Sequence, residues 1–227
     1  MSLINQLFDY ILPEKCALCH KKTPSGFCQD CQTLLPWKHC FCPVCSTERP
    51  VSRVCGQCQN TPPHYFLSAI PFNYCAPISD QIHQLKYQNQ IHFAVPLAKM
   101  FYQWLSQNDI PLPNLIVPIP LHRHRINQRG FNQALEISRV LSKLLGVPFN
   151  RSMLSRCIDT SSQTGLSEKL RTTNVKQAFN VNTKTHYDHI ALVDDVVTSG
   201  STVNEAAKSL LMSGAASKIS VWAITKT

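Results

Sequence analysis

Residues 189–206 read HIALVDDVVTSGSTVNEA. The apolar run IALV (190–193) has the look of a buried strand, yet it ends in two neighbouring carboxylates, Asp194 and Asp195. Buried carboxylates are costly without a partner. A strand ending in Asp194 and Asp195 delivers both to the C-terminal edge of a sheet, where open α/β folds bind ligands. Next comes TSGST (198–202), leading into a helix expected to start near Val203. Backbone N–H groups, hydroxyls and a helix N-terminus together make a cradle for a phosphate. One phosphate and one diol account for the whole stretch. The G-x4-G-K-[ST] lysine loop of nucleoside triphosphatases is missing. A plain helix capped by Ser201 or Thr202 is the competing account, and it leaves the two acids unexplained.

Working outward, short β-type runs alternate with helical periodicity. LIVPIP (115–120) and ISVWAIT (219–225) join IALVD (190–194) as strands. ISDQIHQLKY and FAVPLAKMFYQWL read as two helices broken near Asn89 and Gln90, the second with Phe93, Leu97, Met100, Phe101 and Leu105 at helical spacing. QALEISRVLSKLLG sets Ala134, Ile137, Leu141, Leu144 and Leu145 on one face before Gly146 and Pro148 stop it. VNEAAKSLLMSG is a further helix, ended by Gly214. Such alternation predicts an α/β fold, a parallel sheet flanked by helices.

Nine of the eleven cysteines lie between Cys16 and Cys58, and a Pro-rich NTPPHY closes that segment near Pro62. Two domains are therefore expected: a cysteine-rich double zinc ribbon over 1–62 and the α/β domain over 63–227. The cysteines form four C-x2-C knuckles: Cys16 and Cys19, Cys28 and Cys31, Cys42 and Cys45, Cys55 and Cys58. Four thiolates complete the tetrahedral shell of Zn²⁺, and two quartets make two structural zinc sites. A redox reading suits one C-x2-C beside a thioredoxin-like pattern, which this segment lacks. Sequential pairing puts the first four cysteines on one ion and the last four on the other. A cross-braced arrangement, or Cys40 in place of Cys42, also fits the spacing. Cys75 and Cys157 stand alone and read as buried small hydrophobes. Zinc here replaces a core that so short a segment could not build.

The formal net charge is +9, which suits an anionic partner or simply a soluble surface. Lys15, Lys21, Lys22, Lys38, Arg49 and Arg53 surround the knuckles. That distribution suits a nucleic-acid backbone as well as ordinary solvation. Phe27, Trp37 and Phe41 offer few surfaces for base stacking. No apolar run approaches the roughly 18 residues that span a bilayer, and LINQLFDYIL has neither the basic leader nor the cleavage site of a signal peptide. The expectation is a protein of the reducing cytosol.

The acid pair followed by T-x-G-x-T resembles the phosphoribosyl diphosphate (PRPP) loop of type I phosphoribosyltransferases. By that resemblance Asp194 and Asp195 hold the ribose hydroxyls, while Thr198, Ser199, Gly200, Ser201 and Thr202 clasp the 5′-phosphate. VPIPLHRHRINQRGFNQA (117–134) and SSQTGLSEKLRTTNVKQAFNV (161–181), after a cysteine module opening LPEKCALC, resemble the ComF family of competence proteins. The fold so implied is a type I phosphoribosyltransferase-like sheet behind a zinc-ribbon module. In family terms VPIPLHRHR is the diphosphate loop, with Arg123, Arg125 and Arg129 as its cations, and RGFNQ opens the next helix. SQTGLSEKLR, with Gln163 and Thr164, closes over the ligand. Read by itself, HRHRINQR is equally a solvated basic loop or an RNA patch.

The resemblance implies a protein of natural transformation that handles incoming single-stranded DNA in the cytoplasm and binds PRPP with Mg²⁺. It leaves room for other DNA-uptake proteins as partners and for a peripheral place at the inner membrane through them. The alternative is an active phosphoribosyltransferase on an unidentified acceptor, with the ribbons as a structural lid. Purine-salvage relatives commonly carry an acid at the first position of the loop, where this chain has Thr198, so no general base is evident.

Overall fold

The computed structural model describes residues 15–88, 90–157 and 178–227. The chain runs through α1 (Gln29–Gln32), α2 (Gly56–Asn60), β1 (Leu67–Ala69), β2 (Phe72–Asn73), α3 (Ile78–Tyr87), a 3₁₀ turn (Ile91–Phe93) and α4 (Ala94–Gln107). It continues with β3 (Leu115–Pro118), α5 (Arg123–Arg129), α6 (Gln133–Leu145), β4 (Leu154–Arg156), β5 (Phe179–Val181), β6 (Tyr187–Val197), α7 (Ser201–Met212) and β7 (Ala216–Lys226). The stretch LINQLFDYIL and the loop with Gln163 and Thr164 lie outside the described residues.

The main sheet has the order β1-β7-β6-β3, and every pairing in it is parallel. β2 extends the β1 edge by pairing further along β7. Phe149 lies parallel to Ile116 beyond β3. β4 and β5 form a separate antiparallel pair. Both faces of the sheet are covered, so its central strands are apolar on both sides rather than alternating. On one face Ala191, Val193, Trp222 and Ile224 meet Ile82 and Leu85 of α3, Leu97 and Phe101 of α4, and Ile137 and Leu141 of α6. On the other face Ile190, Leu192 and Val221 meet Val203, Ala206 and Leu210 of α7.

The strand containing the acid pair is longer than IALVD suggests, because β7 follows it through Val197. β3 does not: its ladder with β6 stops where Pro118 meets Val193. Among the described residues, β6 from Asp194 onward has a paired strand on one side only, and the acid pair emerges at that notch.

The cysteine-rich segment packs directly onto this sheet domain. Phe27 and Leu35 enter the core with α4, the Lys99 ammonium donates to the Pro24 carbonyl at 2.9 Å, and Trp37 lies against Phe72 with ring centroids 4.5 Å apart. Between the two cysteine quartets, the Lys38 and Asn73 amides donate to the Pro71 and Pro36 carbonyls, pairing the chain antiparallel to the β2 region. Buried Ser46 joins Ser68 of β1, hydroxyl to hydroxyl, at 2.7 Å. Gly26 permits the closest approach: its φ is +83°, and a Cβ there would lie 2.6 Å from Cα of Pro96.

Gly26→Ala must therefore bear both backbone strain and a clash. We expect a loss of about 2–4 kcal/mol in urea unfolding. Gly56→Ala, where an added Cβ meets nothing within 4 Å, should change stability by less than about 1 kcal/mol. Equal losses in the two variants would contradict this docking geometry.

Candidate functional site

The knuckles assemble into two quartets in sequence order. Cys16, Cys19, Cys28 and Cys31 form one, Cys42, Cys45, Cys55 and Cys58 the other, with the sulfurs of each within 4.8 Å of one another. The two units repeat one local design. His20 and Ser46, each just after a knuckle, take positive φ. Lys15 bridges Lys22 as Phe41 bridges Glu48. Cys28 and Cys55 are the N-cap residues of α1 and α2. Zinc–thiolate bonds of about 2.3 Å at tetrahedral angles set sulfurs about 3.8 Å apart. Cys19 and Cys28 stand at 3.5 Å and Cys45 and Cys55 at 3.7 Å, which fits.

The thiols of each quartet also conflict electrostatically. At Cys16 burial resists ionisation, but backbone N–H groups of its own knuckles offset it and pull the thiol down to about 6. At Cys55 the backbone hydrogen bond involving Cys58 leads, and the thiol again falls to about 6. Burial, followed by the neighbouring sulfurs, pushes Cys31 and Cys58 upward instead. Three of the four cysteines in each quartet are buried, and four clustered thiolates need a dication, a charge that Zn²⁺ supplies. Cys40 belongs to neither quartet. Cys75 and Cys157, expected to be buried, are exposed: one lies in the turn beyond β2 and the other just past β4.

Of the ribbon cations, Lys38 is not free for a phosphate. It is buried, donates its ammonium to the Ser46 carbonyl at 2.8 Å, and burial lowers it to about 8. Phe27 is buried in the core, and Trp37 and Phe41 pack against it. The ribbon aromatics serve docking.

At the notch, adjacent residues on an extended strand point to opposite faces. Asp195 shares the face of Ala191 and Val193 and meets α3, where Lys86 approaches its Oδ2 to 2.6 Å, both side chains being largely buried. Burial pulls the Lys86 ammonium down, but Asp195 and then Asp194 outweigh it and the net shift is upward. Asp194 Oδ1 accepts the Asp195 N–H at 2.9 Å. Burial first, and Asp195 second, hold the Asp194 carboxyl well above the usual carboxylate range. The acids are thus unequal: Asp195 is neutralised by a lysine and Asp194 is not.

The turn that follows is held from behind. Gly200 takes φ +80° and α7 starts at Ser201 with no side-chain cap. Neither Ser201 nor Thr202 acts as a cap; the Ser201 N–H reaches the Ser199 hydroxyl at 3.4 Å, and a helix start without a capping side chain suits an anion. The Ser199 and Ser201 hydroxyls lie 2.8 Å apart. Lys226 donates to the Thr198 carbonyl at 3.1 Å, and Asn204 of the first turn accepts the His64 N–H at 2.7 Å. Tyr65, buried after the second ribbon, brings its hydroxyl against Gly200.

HRHRINQR was expected as a loop, but it is helical from Arg123, because His122 caps α5 by accepting the His124 N–H at 3.3 Å. Gly130 at φ +77° ends α5. Asn132 then caps α6 by accepting the Ala134 and Leu135 N–H groups at 3.0 and 3.4 Å. One turn apart, Arg125 and Arg129 share a face of α5. The Arg129 guanidinium lies 5.1 Å above the Tyr87 ring, next to Lys86. The fold therefore gathers Asp194, Asp195, Lys86 and Arg129 around the C-terminal end of α3. Gln163 and Thr164 lie outside the described residues. Lys86 was missed because LKY reads as an ordinary amphipathic helix end; a lysine on the face otherwise occupied by Ile82 and Leu85 was the available signal.

These features define a class: a zinc-ribbon protein whose ribbons are docked on a parallel α/β ligand-binding domain. A double zinc ribbon domain model matches residues 7–59. The chain is 34% identical over 224 residues to DNA utilization protein YhgH of Salmonella typhi, covering 95% of this chain and 98% of that one. It is 34% identical over 210 residues to competence protein F of Haemophilus influenzae, covering 89% and 91%. Competence protein ComFC of Bacillus subtilis is 23% identical over 193 residues, covering 82% and 78%. The chain belongs to the ComF family. Adenine phosphoribosyltransferase from Leishmania tarentolae overlays 63% of this chain and 74% of its own at TM-score 0.38 and 10% identity, too loosely to bear on the ligand. Among the described residues no helix is long and apolar enough to cross a membrane.

Two measurements check the site. Elemental analysis should find two zinc ions per chain, about one in Cys16→Ser or Cys42→Ser, and an unchanged content in Cys40→Ser. Desolvation and the neighbouring Asp195 oppose ionisation of Asp194, so its raised native pKa lowers stability as pH climbs above the unfolded value of about 3.9. Asp194→Asn should therefore melt higher than wild type at pH 7, and the difference should vanish below about pH 4.

Proposed function

We propose that this protein binds PRPP at the β6 notch and serves in handling single-stranded DNA during uptake. The carrying observation is the adjacency, at one free strand edge, of the Asp194–Asp195 pair and the uncapped turn 198–202. A ribose diol and a 5′-phosphate of one ligand would engage those two features together. Asp194 takes the ribose hydroxyls with Asp195 beside it, and Thr198, Ser199, Gly200, Ser201 and Thr202 take the 5′-phosphate. Arg125 and Arg129, one turn apart on α5, together with Arg123 supply the cations for the diphosphate, and Gln163 and Thr164 are assigned to the ligand by the family resemblance. Asp194 and Asp195 are hard oxygen donors suited to Mg²⁺, which would neutralise diphosphate charge when it arrives with the ligand. In this reading residues 1–62 are the ribbon module and 63–227 the ligand domain.

The DNA half of the proposal rests on family membership and on the net charge of +9. It places the protein in the cytoplasm, with other DNA-uptake proteins as partners. Binding is favoured over transfer because Thr198 stands where a general base would be needed.

Calorimetric titration with PRPP and Mg²⁺ tests the ligand. Wild type should bind, and Asp194→Asn combined with Asp195→Asn should weaken binding by at least about tenfold. Unchanged affinity would contradict the assignment. Anisotropy with labelled single-stranded DNA should show binding that weakens steeply between about 50 and 200 mM salt. Absent or salt-indifferent binding would overturn the DNA role. Diphosphate release on adding a nucleobase would establish a transferase instead.

A further inference from the structure

Lys86 has no part in the motif reading, yet it makes the closest polar contact in the site. Its ammonium stands 2.6 Å from Asp195 Oδ2, with 18% and 10% of the two side chains exposed. Arg129, over Tyr87, adds a second cation beside it. The pair cancels one of the two adjacent negative charges before any ligand arrives and fixes the Asp195 carboxylate toward α3. Without Lys86, two uncompensated carboxylates would stand side by side at the notch. That arrangement attracts a bare dication and repels a polyphosphate.

We propose that Lys86 is a positioning residue that decides the order of binding: by neutralising Asp195 it makes the empty acid pair a poor cation site, so a divalent ion enters only together with the anionic ligand. This rests on the PRPP reading of the same notch. It commits Lys86 and Arg129 to the side of the ligand that carries the diphosphate, with Asp194 left as the carboxylate open to ribose and metal. A lysine serving only to satisfy Asp195 would support the fold and leave both binding equilibria alone.

The test measures Mn²⁺ binding by electron paramagnetic resonance and PRPP binding by calorimetry with Mg²⁺, on full-length protein with zinc in place. In Lys86→Met, Mn²⁺ alone should bind at least about tenfold tighter than to wild type, while PRPP should bind at least about tenfold weaker. Lys86→Arg keeps the charge and should stay within a few-fold of wild type in both. Lys86→Gln replaces the methionine variant if that one loses zinc or secondary structure. A folded, uncharged variant in which either affinity stays at the wild-type value overturns the proposal, even if its melting temperature falls. If wild type binds no PRPP, the ligand reading fails and the Mn²⁺ comparison alone judges Lys86: tightening supports it, and no change overturns it.

Discussion

Two carboxylates at the end of a buried strand form a repelling pair, and the contact between Lys86 and Asp195 makes the arrangement tolerable. That contact depends on the whole layering of the domain. α3 must lie across the face of β6 that carries Ala191 and Val193, and it does so because Ile82 and Leu85 bury themselves there. The turn of α3 that follows then carries Lys86 to Asp195 and Tyr87 beneath Arg129. Asp194 forms no ion pair of its own among the described residues, and its raised proton affinity records the imbalance. A half-buried carboxylate with a raised proton affinity works against stability at neutral pH, as expected of a group kept for binding.

The ribbons are joined to this arrangement by more than a tether. The first docks against α4 through Phe27 and the close approach of Gly26 to Pro96. The second bonds to β1 through Ser46 and Ser68. The segment leaving it runs along α7, with His64 on Asn204 and Tyr65 under Gly200. The turn at 198–202 is therefore backed by residues that follow directly on a metal site. Metal binding in such small modules is inseparable from their folding, and His64 and Tyr65 bring the second ribbon's exit segment against the turn.

Much of this was legible in the sequence because each signal had a local cause. C-x2-C spacing announces thiolate chelation whatever the surroundings, and the quartets formed as sequential pairing predicts. Periodicity located α4, α6 and α7, and a run such as IALV could only be a buried strand. What escaped depended on contacts distant in the chain. Lys86 and Asp195 are far apart in sequence, and nothing near LKY marks its partner. HRHRINQR looked like a loop because its charge hid a helix capped by His122. Cys75 and Cys157 are exposed because of where β2 and β4 end, which composition does not reveal. The family resemblance, by contrast, was carried by motifs spread along most of the chain, and relatives covering nearly all of it support the same assignment.

The central claim is that the acid pair and the uncapped turn act as one ligand site. Hydrogen exchange resolved to single amides, with and without PRPP and Mg²⁺, tests it most directly. The account predicts slower exchange at residues 199–203 together with Asp194 and Asp195, with the α1 and α2 amides unchanged. Protection confined to the ribbons, or none at the turn, would contradict it.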